Sequence, residues 1–296
     1  MTFRDVLAYG TWPLVMAGSV GGAIWGIEAG YDPGTWAFAV SVVNFNVVFL
    51  LEYLLPRKLN VSLLRDRQSL NDIGHGVVVA GLARPLAAAF TAGFVGWWAA
   101  AGIELSGVWP HRLPVVLQVI LVLLVASLIG YWRHRFHHTV RFLWSYHALH
   151  HSSNQLHVLK GNRLHFGEEL LRFMVTPLPL LLLGAPAEIV LWMTLWSNFS
   201  GGLAHSNVDQ RFPAWFHYVI PTLQVHEIHH SDVVQWQYQN FSPTVCLWDH
   251  VFGTYTHPGR VKVESLGIKG DPVPAGFFSQ LVEPLHQSWR FLRRST

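Results

Sequence analysis

Cysteine is all but missing. Cys246 stands alone among 296 residues, so no disulfide forms within the chain, and thiolate metal or iron–sulfur chemistry lacks its ligands. Charge is scarce as well: Asp, Glu, Lys and Arg make up 12% of the chain, about half the ~25% of an ordinary soluble domain. No basic run is interleaved with aromatics as an RNA-binding surface requires, which argues against a nucleic-acid partner. The first apolar stretch is 22 residues long, beyond the reach of a signal-peptide core, and no A-x-A-like cleavage site follows it.

What the chain has instead is long uncharged runs. There are 22 residues between Asp5 and Glu28, 19 between Asp32 and Glu52, 19 between Arg84 and Glu104, and 20 between Arg112 and Arg133. A bilayer core of about 30 Å takes roughly 20 helical residues, so transmembrane helices are expected over 6–27, 33–51, 73–103 and 113–132. A further apolar stretch, 173–204, is broken at "GAPAE". Each half is short for a span, which predicts a helical hairpin dipping into the membrane with Glu188 near its apex; two thinner, tilted spans are the alternative. The 14 Trp and 18 Phe suit a membrane interface.

Lys and Arg fall unevenly. Arg57, Lys58, Arg65 and Arg67 follow the second run; Arg133, Arg135, Arg141, Lys160, Arg163 and Arg172 follow the fourth; the connections "EAGYDPGT" and "ELSGVWPHR" hold Arg112 alone. The positive-inside rule puts the basic regions and both termini in the cytoplasm. The expected fold is a single all-α integral membrane domain, 1–296, multi-pass, with a cytosolic cap formed by 133–172 and 205–270. The host membrane would be a bacterial inner membrane, or the endoplasmic reticulum in a eukaryote.

Histidine is abundant, at 18 residues, and clustered. The spacing H-x-x-H-H occurs three times: at His134, His137 and His138; at His147, His150 and His151; and at His226, His229 and His230. Chance would supply about 0.07 such matches in a chain of this histidine content. Residues three and four apart share a helix face, so each copy can aim several imidazoles at a common centre, and neutral imidazole suits iron, copper, zinc and nickel. Together with His205 the clusters hold enough ligands for two metals at the membrane boundary. The third copy also reads His226-Glu227-x-x-His230, the HExxH pattern of a zinc metalloprotease. A protease zinc takes only three protein ligands, and the other two copies carry Arg135 and Ala148 where Glu227 stands, so Glu227 is read as incidental. A membrane metal transporter is the rival from another class; its site would lie near the midplane among ionisable residues in the spans, which these runs lack.

The run "YWRHRFHH…WSYHALHHSS…LAHSNV…HEIHHSD…LWDHVFGTY" resembles the fatty acid hydroxylase superfamily, the sterol desaturase-like membrane di-iron enzymes, from about Glu52 to Tyr255. The resemblance implies a helical membrane fold with a cytosolic histidine cap, two non-haem irons, and oxidation of a lipid C–H by dioxygen to an alcohol or a double bond. The lipid would be of the fatty acyl, sterol or ether-lipid class. Two electrons would come from a separate redox partner, a ferredoxin or a b-type cytochrome with its reductase. It maps metal ligands onto His134, His138, His147, His150, His151, His226, His229 and His230, and leaves His137 as a neighbour and candidate extra ligand. A further H-x-x-x-H of some members places His205 at its second position but Gly201 at its first, and His165 is the candidate to fill that gap. Asp249, in the matching stretch "LWDHVFGTY", is the expected carboxylate accepting from an imidazole N–H, with Glu168, Glu169 and Asp232 as alternatives.

Overall fold

A computed structural model describes residues 1–103, 107–270 and 273–294 of the chain. Glu104, Leu105 and Ser106, in the expected third connection, lie outside the described residues. Among the described residues there is no β-strand, only two isolated bridges, Pro56–Val208 and Ser231–Leu266. The regular structure is helical.

Helix α1 (Phe3–Glu28) starts at a capping box in which the Thr2 hydroxyl accepts from the Asp5 N–H and the Asp5 side chain from the Thr2 N–H, so two otherwise orphaned donors are satisfied. Helix α2 (Pro33–Leu54) is capped by Asp32 and opens on Pro33, whose missing N–H costs nothing at a first turn. The two form an antiparallel pair that closes at Gly26: the Trp36 indole donates to the Gly22 carbonyl at 2.8 Å, and a Cβ on Gly26 would stand 1.9 Å from its ring nitrogen. Helix α3 (Ser69–Val78) runs through a wide π turn, Val79–Ala83, into α4 (Arg84–Ala100). The widening precedes Pro85, which cannot donate to the helical ladder.

Helix α5 (Val115–Thr139) is followed at once by α6 (Arg141–His151). Then come α7 (Phe166–Val175), α8 (Pro177–Leu182) and α9 (Ala187–Ala204), with the reversal between α8 and α9 at Gly184, φ +88°, a conformation glycine adopts at no steric cost. This is a helical hairpin with Glu188 in the first turn of its second arm. The first arm begins earlier than expected, at Phe166, where the His165 ring caps α7. Short helices α10 (Leu223–His229), α11 (Val234–Gln237) and α12 (Leu247–Val251) pack beneath, and α13 (Phe277–Arg294) closes the described chain.

Helix α9 is the axis. Leu195, Phe199 and Leu203 bury against Ala8, Met16 and Ala23 of α1 and Val40 and Val48 of α2. Ile189, Val190 and Met193 bury against Val122 and Ala126 of α5. Among the described residues, three helical stretches are long and apolar enough to cross a membrane: α2, α3 through α4, and α5. The expected first span is a helix of 26 residues but is not among those three. Large apolar side chains such as Leu14, Val43, Leu82, Phe90 and Ile120 face outward, as they do where lipid replaces water. The α5 helix does not stop where charge begins at Arg133; it continues for six more residues to Thr139, carrying His134, His137 and His138 with it.

Candidate metal centre

Nine histidines converge in two adjoining groups. His134 and His138 of α5, His147 and His151 of α6, and His229 of α10 form one, with one nitrogen from each lying within 4.8 Å of all the others. His150 of α6, His205 after α9, and His226 and His230 at α10 form the other by the same measure. The spacing explains the division. In H-x-x-H-H the first and last residues are i and i+4 and stay together, His147 with His151 and His226 with His230. The middle residue, His150 or His229, is turned about 100° from its neighbour and enters the other group. Each of these two triplets thus serves both centres, where the spacing alone suggested one shared target.

The rings are held by their outer nitrogens. His134 Nδ1 donates to the Phe241 carbonyl, His229 Nδ1 to the Gln239 carbonyl and His205 Nδ1 to the Gly201 carbonyl, each at 2.8 Å. His147 Nδ1 pairs with Glu168 Oε1 at 2.8 Å. A neutral imidazole carries one N–H, so in the first three Nε2 is a bare lone pair aimed inward. Yet His229 Nε2 lies 2.9 Å from His134 Nε2 and His226 Nε2 lies 2.8 Å from His205 Nε2.

The first of these pairs has no proton to share. Opposed lone pairs at that separation repel, and a cation between them removes the conflict. Two nitrogens each about 2.1 Å from one ion and near a right angle apart fall roughly 3 Å from each other. Both ring nitrogens of His151, and Nε2 of His138, are buried without a partner. Outside the spans, burial lowers His229 to about 4 and also holds His147, His150, His151, His205, His226 and His230 below the usual imidazole value. All are therefore neutral at pH 7, and a donor set of this kind could hold a pair of imidazole-loving metals.

Other expected residues fall elsewhere. His165 is fully used in the fold: Nδ1 accepts from the Gly167 N–H at 3.0 Å and Nε2 donates to the Leu281 carbonyl at 2.9 Å. It does not reach either group. His137 donates from Nδ1 to the Arg133 carbonyl and stands beside His147 outside both groups. Asp249 does not accept from an imidazole. Its oxygens take the N–H groups of Phe241 and Ser242 at 2.8 and 2.9 Å and the Thr254 hydroxyl at 2.7 Å. It therefore acts one bond removed, fixing the turn whose Phe241 carbonyl holds His134.

The carboxylate that meets an imidazole of the two groups is Glu168, on His147, raised to about 8 by burial against the pull of Arg133. Glu169 is committed to Arg84 and Arg172, and Asp232 faces Lys269 at 3.8 Å. Glu227 is bound by Arg57 at 2.6 Å and Lys58 at 2.7 Å, away from the histidine nitrogens, and so cannot serve as the base of a metalloprotease. Asp66, Asp72 and His157 form a third cluster, but the Lys160 ammonium already lies between its carboxylates.

Sequence reading missed the backbone acceptors. Gln239 and Phe241 flank Asn240, which has φ +57°, a left-handed conformation that Asn tolerates better than most residues. Its side-chain amide is tied to the Val225 and Thr256 carbonyls, each at 3.1 Å. The bend lets the carbonyls on either side of Asn240 serve two different histidines. The lone Asn in "QYQNFSP" was the only trace of this.

Both groups open on a cavity of about 410 Å³ whose wall includes His134, His147, His150, His205 and His226. Phe38, Phe45 and Met193 make it apolar in part, and Ser41, Asn44 and Asn198 add hydrogen-bonding groups. On one side Glu168, Glu169, Arg84, Arg133 and Arg172 line it. Glu168 Oε2 and Arg133 Nε are buried there without a hydrogen-bond partner.

The family model described as fatty acid hydroxylase matches residues 119–254. Over 282 residues, 94% of this chain and 84% of the relative, the sequence is 32% identical to ornithine lipid hydroxylase OlsE of Rhizobium tropici. Over 149 residues, 45% of this chain and 29% of the relative, it is 24% identical to alkylglycerol monooxygenase of Xenopus tropicalis. No solved structure matches it.

Proposed function

Because the chain belongs to the fatty acid hydroxylase family and its relatives are lipid hydroxylases and monooxygenases, we propose that it is a membrane-embedded non-haem di-iron oxygenase that hydroxylates a polar lipid of the ornithine-lipid class. The balance is R–H + O₂ + 2 e⁻ + 2 H⁺ → R–OH + H₂O. The electrons come from a separate donor, a ferredoxin or a b-type cytochrome with its reductase. The observation that carries the reading is the pair of histidine groups, five and four strong, opening on one cavity.

Two irons bound there would supply the oxidant that an unactivated C–H requires. The chain's own part is positioning. Phe241, Gln239, Gly201 and Glu168 orient the rings. The apolar wall of Phe38, Phe45 and Met193 suits a lipid chain, and the charged side beside His147 suits a polar headgroup that would otherwise be costly to bury. That lining favours a polar lipid over a bare hydrocarbon. The basic segments around Arg57 and Arg133 support a centre on the cytoplasmic side of a multi-pass protein, as the positive-inside rule would have it.

The test is elemental analysis of detergent-purified protein made with iron supplied, followed by turnover with ornithine lipid, dioxygen and a reductant. The expected result is about two irons per chain, as a two-metal site requires, and a product one oxygen heavier. Protein that stays inactive after reconstitution with iron, on ornithine, fatty acyl, sterol and ether lipids alike, would overturn it.

A further inference from the structure

The last helix turns its apolar stripe outward. Along α13, Phe278, Val282, Leu285 and Trp289 are 43 to 79% exposed, and at roughly 100° per residue they fall within about 60° of one another. The face against the protein is a different one. Phe277 packs on the His75 ring, the buried Gln280 donates to Gln68 Oε1 at 3.2 Å, and the Leu281 carbonyl accepts from His165. Ser279 and His286, both exposed, occupy a third sector on the far side of the stripe. The helix is therefore three-sided: protein, apolar and polar.

Three observations name the occupant of the apolar side. First, α13 is fastened to the start of the α3–α4 span, where the Ala275 carbonyl accepts from Asn71 at 2.7 Å, so the stripe continues a surface already apolar. Second, the neighbouring segment exposes Leu64 and Leu70, 76 and 80% accessible, beside Arg65 and Arg67. Third, the sequence of the last turns carries Arg290, Arg293 and Arg294. Exposed apolar side chains flanked by cationic residues at a span's end match a bilayer interface with anionic headgroups.

We propose that α13 lies in the membrane surface as an interfacial helix, its Phe278–Val282–Leu285–Trp289 stripe among the acyl chains of a bilayer that carries anionic headgroups. This rests on the chain being a membrane enzyme, but not on its substrate or metal. Because α13 also packs on α6, which carries His147, His150 and His151, the contact fixes the height of the histidine groups relative to the lipid.

The test places single cysteines at Val282, Leu285, Ser279 and His286 and labels each with a nitroxide. Cys246 is wholly buried, and the unsubstituted protein gives the background. In vesicles containing an anionic phospholipid, the labels at 282 and 285 should be reached by oxygen and shielded from a water-soluble nickel chelate. Those at 279 and 286 should show the reverse, with oxygen-to-nickel accessibility differing several-fold. Equal nickel access at all four positions overturns the proposal. So does dipolar coupling between Leu285→Cys labels of two copies, which would make the stripe a self-association face. Shielding that arises only on adding an acidic electron-transfer protein overturns it too. Iron content and turnover of the same four variants are read separately, so a failed function reading and a failed helix placement are distinguishable.

Discussion

His150 and His151 are neighbours in sequence and face different centres. His150 Nε2 lies 3.2 Å from His205 Nε2 in the group of four, whereas the His151 ring lies 4.6 Å from that of His229 in the group of five. Since the two centres draw on adjacent residues of one helix, changing either residue should damage one centre first. His150→Ala and His151→Ala should each leave about one metal per chain of the two a dimetal site holds, while His165→Ala should leave both. Elemental analysis with chelator titration checks this. Loss of a metal on His165→Ala would reinstate that residue as a ligand.

Glu168 accepts from His147 Nδ1 and has its other oxygen unused. Outer partners of this sort typically tune metal affinity 10- to 100-fold. Glu168→Ala should weaken one of the two metals by about that factor, and Glu168→Gln, which keeps an acceptor, by less. Competition against a chelator of known affinity measures the difference. Equal affinity in wild type and Glu168→Ala would remove Glu168 from the centre.

The helical parts were legible from charge spacing because a bilayer penalises unpaired charge over a fixed length: 33–51 became Pro33–Leu54, and 113–132 became Val115–Thr139. The histidines were legible because helical geometry imposes i, i+3 and i+4. The backbone acceptors were not, since every residue has a carbonyl and only tertiary folding chooses which one meets a ring. Asp249 was found in the right neighbourhood for a related reason. Its stretch builds the wall behind His134, but pattern cannot tell a carboxylate on an imidazole from one that holds the loop carrying that imidazole's acceptor.

That loop is sensitive to small changes. Asp249→Ala would leave the Phe241 and Ser242 N–H groups buried without an acceptor, at about 1–3 kcal/mol each. Gly130→Ala would place a Cβ 2.6 Å from Pro243 Cγ and force the same loop away from α5. Both variants should melt earlier, and both should lose metal from the group containing His134 before the other. Thermal unfolding in detergent, read alongside metal content, separates them from Gly26→Ala. That change closes on Trp36 between α1 and α2 and should lower stability without favouring loss from either group.

The fully buried Glu169 accepts from Arg84 at 3.2 Å and from Arg172 at 2.6 and 2.7 Å. Burial alone would raise its pKa, but the two guanidinium groups outweigh that and bring it to about 2, from an ordinary 4.5. A carboxyl whose folded value is depressed binds fewer protons in the folded state than in the unfolded one. Its stabilisation is therefore complete above about pH 5 and is lost as pH falls through 4.5 toward 2. The gap amounts to about 3 kcal/mol at neutral pH and roughly halves by pH 3. Glu169→Gln removes the titration while keeping the shape. The difference in unfolding free energy between wild type and Glu169→Gln, measured in detergent from pH 7 to pH 3, should be largest at the neutral end and shrink steadily below pH 5. A difference that stays constant over that range would mean the carboxylate contributes packing and hydrogen bonds rather than charge.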